Sequence, residues 1–297
     1  GDNNLEYAIG LFNMALCLSD NDRKHEAIEY GERANKLLYN LKHIPLYIRS
    51  IEELASYYFQ NDKYSLAIEY GNKACELNKS QYGNSSNEYA SSISDLAYYY
   101  HEYESIAKAI DLENKALQMH TNNKNQEGIA ISLSHFGRYY NKLEEYDKAI
   151  EYNKESSAIF KELKGDKDPA YISKLLDLSR CYDEIGDYSK AIYYAEEYAS
   201  AIKNISGENS IKYAIAMDNL ASCYHNIGNL EKDILYRTIS LETIDKYKNN
   251  NPSFEREVKE YLPEYIDIDL TDIWPSCKQE FINILKQLKT PNAMDYD

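Results

Sequence analysis

Histidine and cysteine are the side chains from which metal sites and nucleophilic centres are most often built, and the chain holds six of the first and five of the second. The histidines (His25, His43, His101, His120, His135 and His225) are scattered without ligand spacing. The cysteines (Cys17, Cys75, Cys181, Cys223 and Cys277) are odd in number and form no CxxC or CxxH pair. Neither a zinc site nor a disulfide framework follows, and the pattern suits a reducing, cytoplasmic compartment. No Gly-x-Ser-x-Gly elbow, phosphate-binding loop, Gly-x-Gly-x-x-Gly turn or His-Glu-x-x-His helix occurs, so neither an enzyme nor a cofactor is expected. Two arginines draw more interest, because a guanidinium grips a carboxylate with two parallel hydrogen bonds. Arg138 has no acidic residue three or four positions away on its own helix. Arg180 has Asp177 and Asp183 three residues to either side, where they would neutralise it.

The elements that must position these side chains are helical. In 297 residues there is one valine, Val258, but 31 tyrosines, and a sheet protein rarely dispenses with valine. The 33 Lys and Arg against 49 Asp and Glu give a net charge of -16, which argues against a nucleic-acid partner. No apolar run approaches the roughly 20 residues of a membrane span.

Ala-Ile-like pairs recur at Ala27-Ile28, Ala67-Ile68, Ala109-Ile110, Ala149-Ile150, Ala191-Ile192 and the degenerate Asp233-Ile234, with steps of 40, 42, 40, 42 and 42 residues. Fourteen residues before each Ile stands a large apolar anchor: Met14, Leu54, Leu96, Phe136, Leu178 and Leu220. The residue after each anchor is small (Ala15, Ala55, Ala97, Gly137, Ser179, Ala221), which lets a second helix approach closely. Turns follow at Asn61-Asp62-Lys63, Glu144-Glu145, Gly186-Asp187 and Gly228-Asn229. Each unit therefore reads as a helix-turn-helix pair that buries its apolar stripe only by stacking on its neighbours. Cys17, Cys181 and Cys223 share one repeat slot with Tyr57, Tyr99 and Tyr139, so that slot is expected to serve packing.

The signature Leu54-Ala55…Tyr58…Tyr64…Ala67-Ile68, repeated as Phe136-Gly137…Tyr140…Tyr146…Ala149-Ile150 and Leu178-Ser179…Tyr182…Tyr188…Ala191-Ile192, resembles the tetratricopeptide repeat. The 42-residue period and the connector Gly165-Asp166-Lys167-Asp168-Pro169 are similar to its kinesin-light-chain-like version. One departure is plain: the usual aromatic three residues after the Ile is replaced by Gly31, Gly71, Glu113, Asn153, Ala195 and Arg237, and the Tyr one residue earlier is expected to compensate. The resemblance implies an all-α, right-handed superhelical solenoid of about six repeats over residues 1–249. Residues 250–297 would then supply capping helices, at 254–262 and 276–289, and a tail; the alternative is that Trp274 and the segment Ile266-Asp267-Ile268-Asp269-Leu270 start a linker to a further domain. It further implies that the first helices line a concave groove for a peptide or helix of a protein partner. Carried onto this chain, the groove slots hold Arg49, Glu52, Ser56 and Phe59, then Tyr98 and His101, then Arg138 and Asn141. Arg180 and Asp183 follow, and then Asn219, Ser222 and His225. Phe59 and Tyr98 are off-pattern rings suited to an interface, and Arg138 and Arg180 occupy one slot in successive repeats. The family's carboxylate clamp for chaperone tails is not reproduced. A non-catalytic scaffold follows, with no nucleic-acid or membrane partner. The second reading takes the chain, which opens at Gly1 without an initiator methionine, as a sensor or regulatory arm of a larger protease, kinase or transcription regulator.

Overall fold

The structure, a computed structural model, describes residues 4–250 apart from Asp22 and Glu104. The expected capping helices and Trp274 lie outside the described residues. Among the described residues there are twelve α-helices and no strand: α1 (Leu5–Asp20), α2 (Lys24–Asn40), α3 (Ile44–Gln60), α4 (Tyr64–Tyr82), α5 (Asn87–Glu102), α6 (Ile106–Asn122), α7 (Gln126–Lys142), α8 (Tyr146–Lys164), α9 (Pro169–Glu184), α10 (Tyr188–Ser206), α11 (Ile211–Asn226) and α12 (Leu230–Asn250). Odd helices carry the anchors and even helices the Ala-Ile pairs, as the spacing predicts. The chain divides into two units, Gly1–Ile159 and Phe160–Asp297, with the boundary inside α8. The repeat spacing does not signal that boundary.

Local chemistry accounts for the helix ends. Ser86, Asn125, Asp168 and Ser210 each accept a hydrogen bond from a first-turn backbone N–H, and Pro169 opens α9 where a missing donor costs nothing. The alternating period of 40 and 42 residues also has a local origin. Helices α2 and α6 have 17 residues and pass the chain on through Lys42 and Lys124, whereas α4 and α8 have 19 and end at Gly83 and Gly165. Gly83, with φ 96 and ψ 163, occupies a region essentially closed to residues with a Cβ.

Successive helix pairs lock together through the departure noted above. A Cβ placed on Gly31 of α2 would come within 3.0 Å of Leu54 Cδ2, and one on Gly71 of α4 within 3.1 Å of Leu96 Cδ1. The anchors of α3 and α5 thus pack into a glycine of the preceding second helix, where the family's aromatic would not fit. The displaced ring function moves one residue back, onto a pair inside the same repeat: Tyr140 on Tyr152 at 5.4 Å and 8°, Tyr182 on Tyr194 at 5.6 Å and 4°, Tyr224 on Tyr236 at 5.6 Å and 16°.

The first repeat corrects one expectation. Leu54, Leu96, Phe136, Leu178 and Leu220 are all buried, but Met14 is 48% exposed, and Cys17 is exposed where Cys181 and Cys223 are buried. Both slots pack on the preceding second helix, and among the described residues none lies before α1. In the other repeats burial pushes the Cys75 and Cys181 thiols up to about 12 and that of Cys223 to about 11, as packing residues rather than nucleophiles.

Candidate functional site

On the face of the odd helices that the even helices leave uncovered, side chains of successive repeats meet directly. In the first unit they form a row of rings. Phe59 of α3 lies 5.2 Å from Tyr98 of α5, and Tyr98 stacks on His135 of α7 at 5.2 Å and 22°. Arg138 is exposed; it donates from Nη1 to the Tyr98 hydroxyl at 2.9 Å and lies over that ring at 5.6 Å. One helix turn on, Lys142 donates to the His101 carbonyl at 3.1 Å and sits 3.7 Å from Glu102. A single hydroxyl and a ring face thus hold the Arg138 guanidinium in place while most of its donors stay open to solvent.

Beneath this row lies a buried carboxylate. Glu113 of α6 is 0% exposed and fills the slot where the other repeats of this unit have Gly31, Gly71 and Asn153. It accepts from Ser94 Oγ at 2.7 Å and from the Tyr139 hydroxyl at 3.2 Å, and its Oε2 lies 3.0 Å from His135 Nδ1. Ser94 Oγ also lies 3.1 Å from that same Nδ1. Serine, histidine and glutamate in contact suggest a catalytic triad, but the serine and the carboxylate meet one ring nitrogen. His135 therefore cannot relay a proton between them, and the cluster serves as a hydrogen-bonded plug.

The remaining predicted residues divide by what they touch. Arg49 is exposed and lies over the Phe12 ring at 5.4 Å. Glu52 turns inward, accepting from Asn78 of α4 at 2.6 Å, and burial holds its carboxyl above the ordinary range. It belongs to the helix junction rather than to the open face, because its slot is the one through which Ser94 reaches Glu113. Ser56 is half-buried and accepts from Gln60 at 3.2 Å, and Asn141 is exposed. His101 is buried.

In the second unit Arg180 is exposed. Asp177 pairs with Lys174, and Asp183 accepts two hydrogen bonds from Asn226, at 2.9 and 2.8 Å. The carboxylates expected to neutralise Arg180 are therefore committed elsewhere. Asn219 donates to Ser179 at 3.1 Å, Ser222 is half-buried, and His225 lies 2.8 Å from Asp233.

Sequence reasoning passed over Asp95, His135 and Lys142. Asp95 is exposed, with His135 and the carboxylates of Glu52, Glu113 and Glu53 near enough to act on its charge. Asp95 and His135 stand one residue before the anchors Leu96 and Phe136, so the repeat register itself contained the signal.

A sequence model described as the tetratricopeptide repeat matches residues 47–122 and 128–204, together just over half of the chain. Among solved structures the chain is similar to BtubC (BKLC) from P. vanneervenii, at 17% identity and a TM-score of 0.65 over 78% of this chain and 92% of that one. It is similar also to a Podosopora anserina putative kinesin light chain with nearly identical TPR-like repeats, at 18% identity and a TM-score of 0.55 over 68% and 93%. A Rap protein complexed with competence and sporulation factor matches at 15% identity and a TM-score of 0.61 over 94% and 74%. No curated protein sequence matches the chain significantly. At these identities the structures establish a shared fold.

Proposed function

Because the chain belongs to the tetratricopeptide repeat family, we propose that it is a non-catalytic scaffold whose first helices hold a peptide or helix of a partner protein against their open face. One observation carries this reading. Arg138 is solvent-exposed yet fixed by Tyr98, at the end of a ring row that runs from Phe59 through Tyr98 to His135. An arginine with fixed geometry and spare donors loses little conformational freedom on binding, and half-buried rings beside it supply contact area. A solvated surface arginine would gain nothing from such a mounting. Arg180, whose neighbouring acids are engaged by Lys174 and Asn226, extends the same chemistry to the second unit.

The test compares wild type with Arg138→Glu and Arg180→Glu in affinity capture from lysate, followed by cross-link mapping of each captured protein. The expected outcome is a partner that cross-links to α5 and α7 of wild type and is lost on Arg138→Glu, with the melting temperature unchanged. A partner retained by both variants, or a binding loss that tracks a fall in stability, overturns the assignment.

A further inference from the structure

At the floor of this face one polar ring has no hydrogen-bond partner. His101, near the end of α5, is 5% exposed, and among the described residues neither ring nitrogen makes a hydrogen bond. Its Nδ1 lies 3.1 Å from Glu102 Oε1 but out of hydrogen-bonding alignment. The ring is held between Tyr139 at 4.8 Å and Tyr98 at 6.2 Å and 19°. The equivalent slot of the second repeat holds Phe59, a ring without polar atoms, so packing alone does not call for an imidazole here.

The groups facing His101 come from four helices. Glu102 and Tyr98 lie on α5 itself, and α7 supplies Arg138, Lys142 and the Tyr139 hydroxyl. Glu113 of α6 reaches the same Tyr139 hydroxyl at 3.2 Å, and Tyr64 of α4 faces Tyr98 and Glu102. Burial holds the imidazole below its ordinary range; Lys142 and Arg138 push the same way, and Glu102 pulls against them. Burial is the largest of these effects, and it keeps His101 neutral at pH 7.

We propose that this corner is the subsite for an acidic side chain of the bound peptide, whose carboxylate sits on Arg138 and Lys142 while His101 takes up a proton from solvent. The inference rests on the peptide-binding reading above and adds to it the chemistry of the ligand and a pH dependence. The physical reason is the balance of charge. A carboxylate arriving on the two cations brings a negative charge next to the ring, which offsets the burial that keeps it neutral, and the imidazolium then adds its own attraction. Protonated His101 favours the bound state, so affinity rises as pH falls from 8 to 6. Moving the histidine by one unit of pKa on binding changes the dissociation constant by up to about tenfold.

The probe is a random octapeptide array, read at pH 8 and pH 6 with the full chain as wild type, His101→Gln and Arg138→Gln. The expected hits contain Glu or Asp, weaken on exchange to Gln or Asn, and bind wild type roughly three- to sixfold tighter at pH 6 than at pH 8. With His101→Gln the pH response falls below about twofold, because the loss of net negative charge on acidification is common to both proteins. In wild type, where no variant has to fold, the His101 ring resonances titrate at higher pH once an acidic octapeptide is added. Acidic hits whose pH response survives His101→Gln overturn this inference and leave the peptide-binding reading standing. Hits that are neutral or basic do the same. An array without hits overturns both.

Discussion

At the scale of single residues, the chain buries several polar groups, and each burial has a consequence that can be measured. His120 is the clearest case outside the binding face. It is 2% exposed, its Nδ1 lies 3.3 Å from the Asn125 amide, and burial holds it below its ordinary value of 6.5. A histidine depressed in the folded state binds its proton more readily when unfolded, so stability is lost as pH falls through the unfolded value near 6.5. We therefore expect the melting temperature of wild type to fall between pH 7 and pH 5, and His120→Gln to flatten that slope. The loss is at most about 1.4 kcal/mol for each unit of pKa depression. Thermal unfolding at four or five pH values reads it directly, and a slope unchanged by the substitution would place the sensitivity elsewhere. Arg138 could be singled out from the sequence because no acid lies within a helical turn of it. That its mounting is Tyr98, forty residues away, could not.

At the scale of the helix pair, glycine and tyrosine exchange roles. In the first two repeats the slot three residues after the Ile is glycine because the next anchor needs the space, and in the fourth to sixth repeats paired tyrosines stack inside the repeat. Lysines close those pairs: Lys148 over Tyr140 at 4.8 Å, Lys190 over Tyr182 at 5.0 Å, Lys232 over Tyr224 at 4.3 Å. The glycines differ sharply in what they could tolerate. A Cβ on Gly137 would lie 2.5 Å from Asn153 Oδ1 and one on Gly128 2.4 Å from His120 Nδ1, while around Gly10 nothing lies within 4 Å. Gly137→Ala and Gly128→Ala should each cost about 1–3 kcal/mol through overpacking. Gly10→Ala should add roughly 0.5–1 kcal/mol, because a helix-interior glycine is replaced without a clash. Urea denaturation of the three variants separates these signs, and a neutral Gly137→Ala would show that Asn153 can swing away.

At the scale of the whole chain, stability in a stack of repeats is a sum of local terms and nearest-neighbour interfaces. Leu54 is fully buried, lies against Gly31 and joins one cluster with Leu18, Ile28, Tyr57, Tyr58 and Ala67. Leu54→Ala should cost about 2–5 kcal/mol. Because the interfaces are between neighbours, the loss of amide protection should concentrate in α2, α3 and α4, with α10 and α11 of the second unit keeping theirs. Hydrogen exchange with peptide-level resolution checks this, and uniform loss along the chain would mean a single cooperative unit. The charge of -16 acts on the same scale. It repels acidic partners at long range, so the acidic peptides expected at Arg138 should associate faster as salt screens that repulsion.

The sequence by itself determined the helices, their pairing and their period. These follow from apolar spacing, small residues after each anchor and turn residues at fixed offsets, all of them short-range and repeated. It also identified the anchors from Leu54 to Leu220, because a slot that repeats has the same surroundings each time. Met14 shows where that logic stops. The slot was apolar and in register, yet its burial depended on a neighbouring helix and not on the residue. The tertiary structure alone decided which polar side chains met: Glu113 with Ser94, His135 and Tyr139, Glu52 with Asn78, Asp183 with Asn226. Those partners stand 19 to 43 residues apart, and hydrogen-bond direction, unlike apolar burial, leaves no periodic trace in composition.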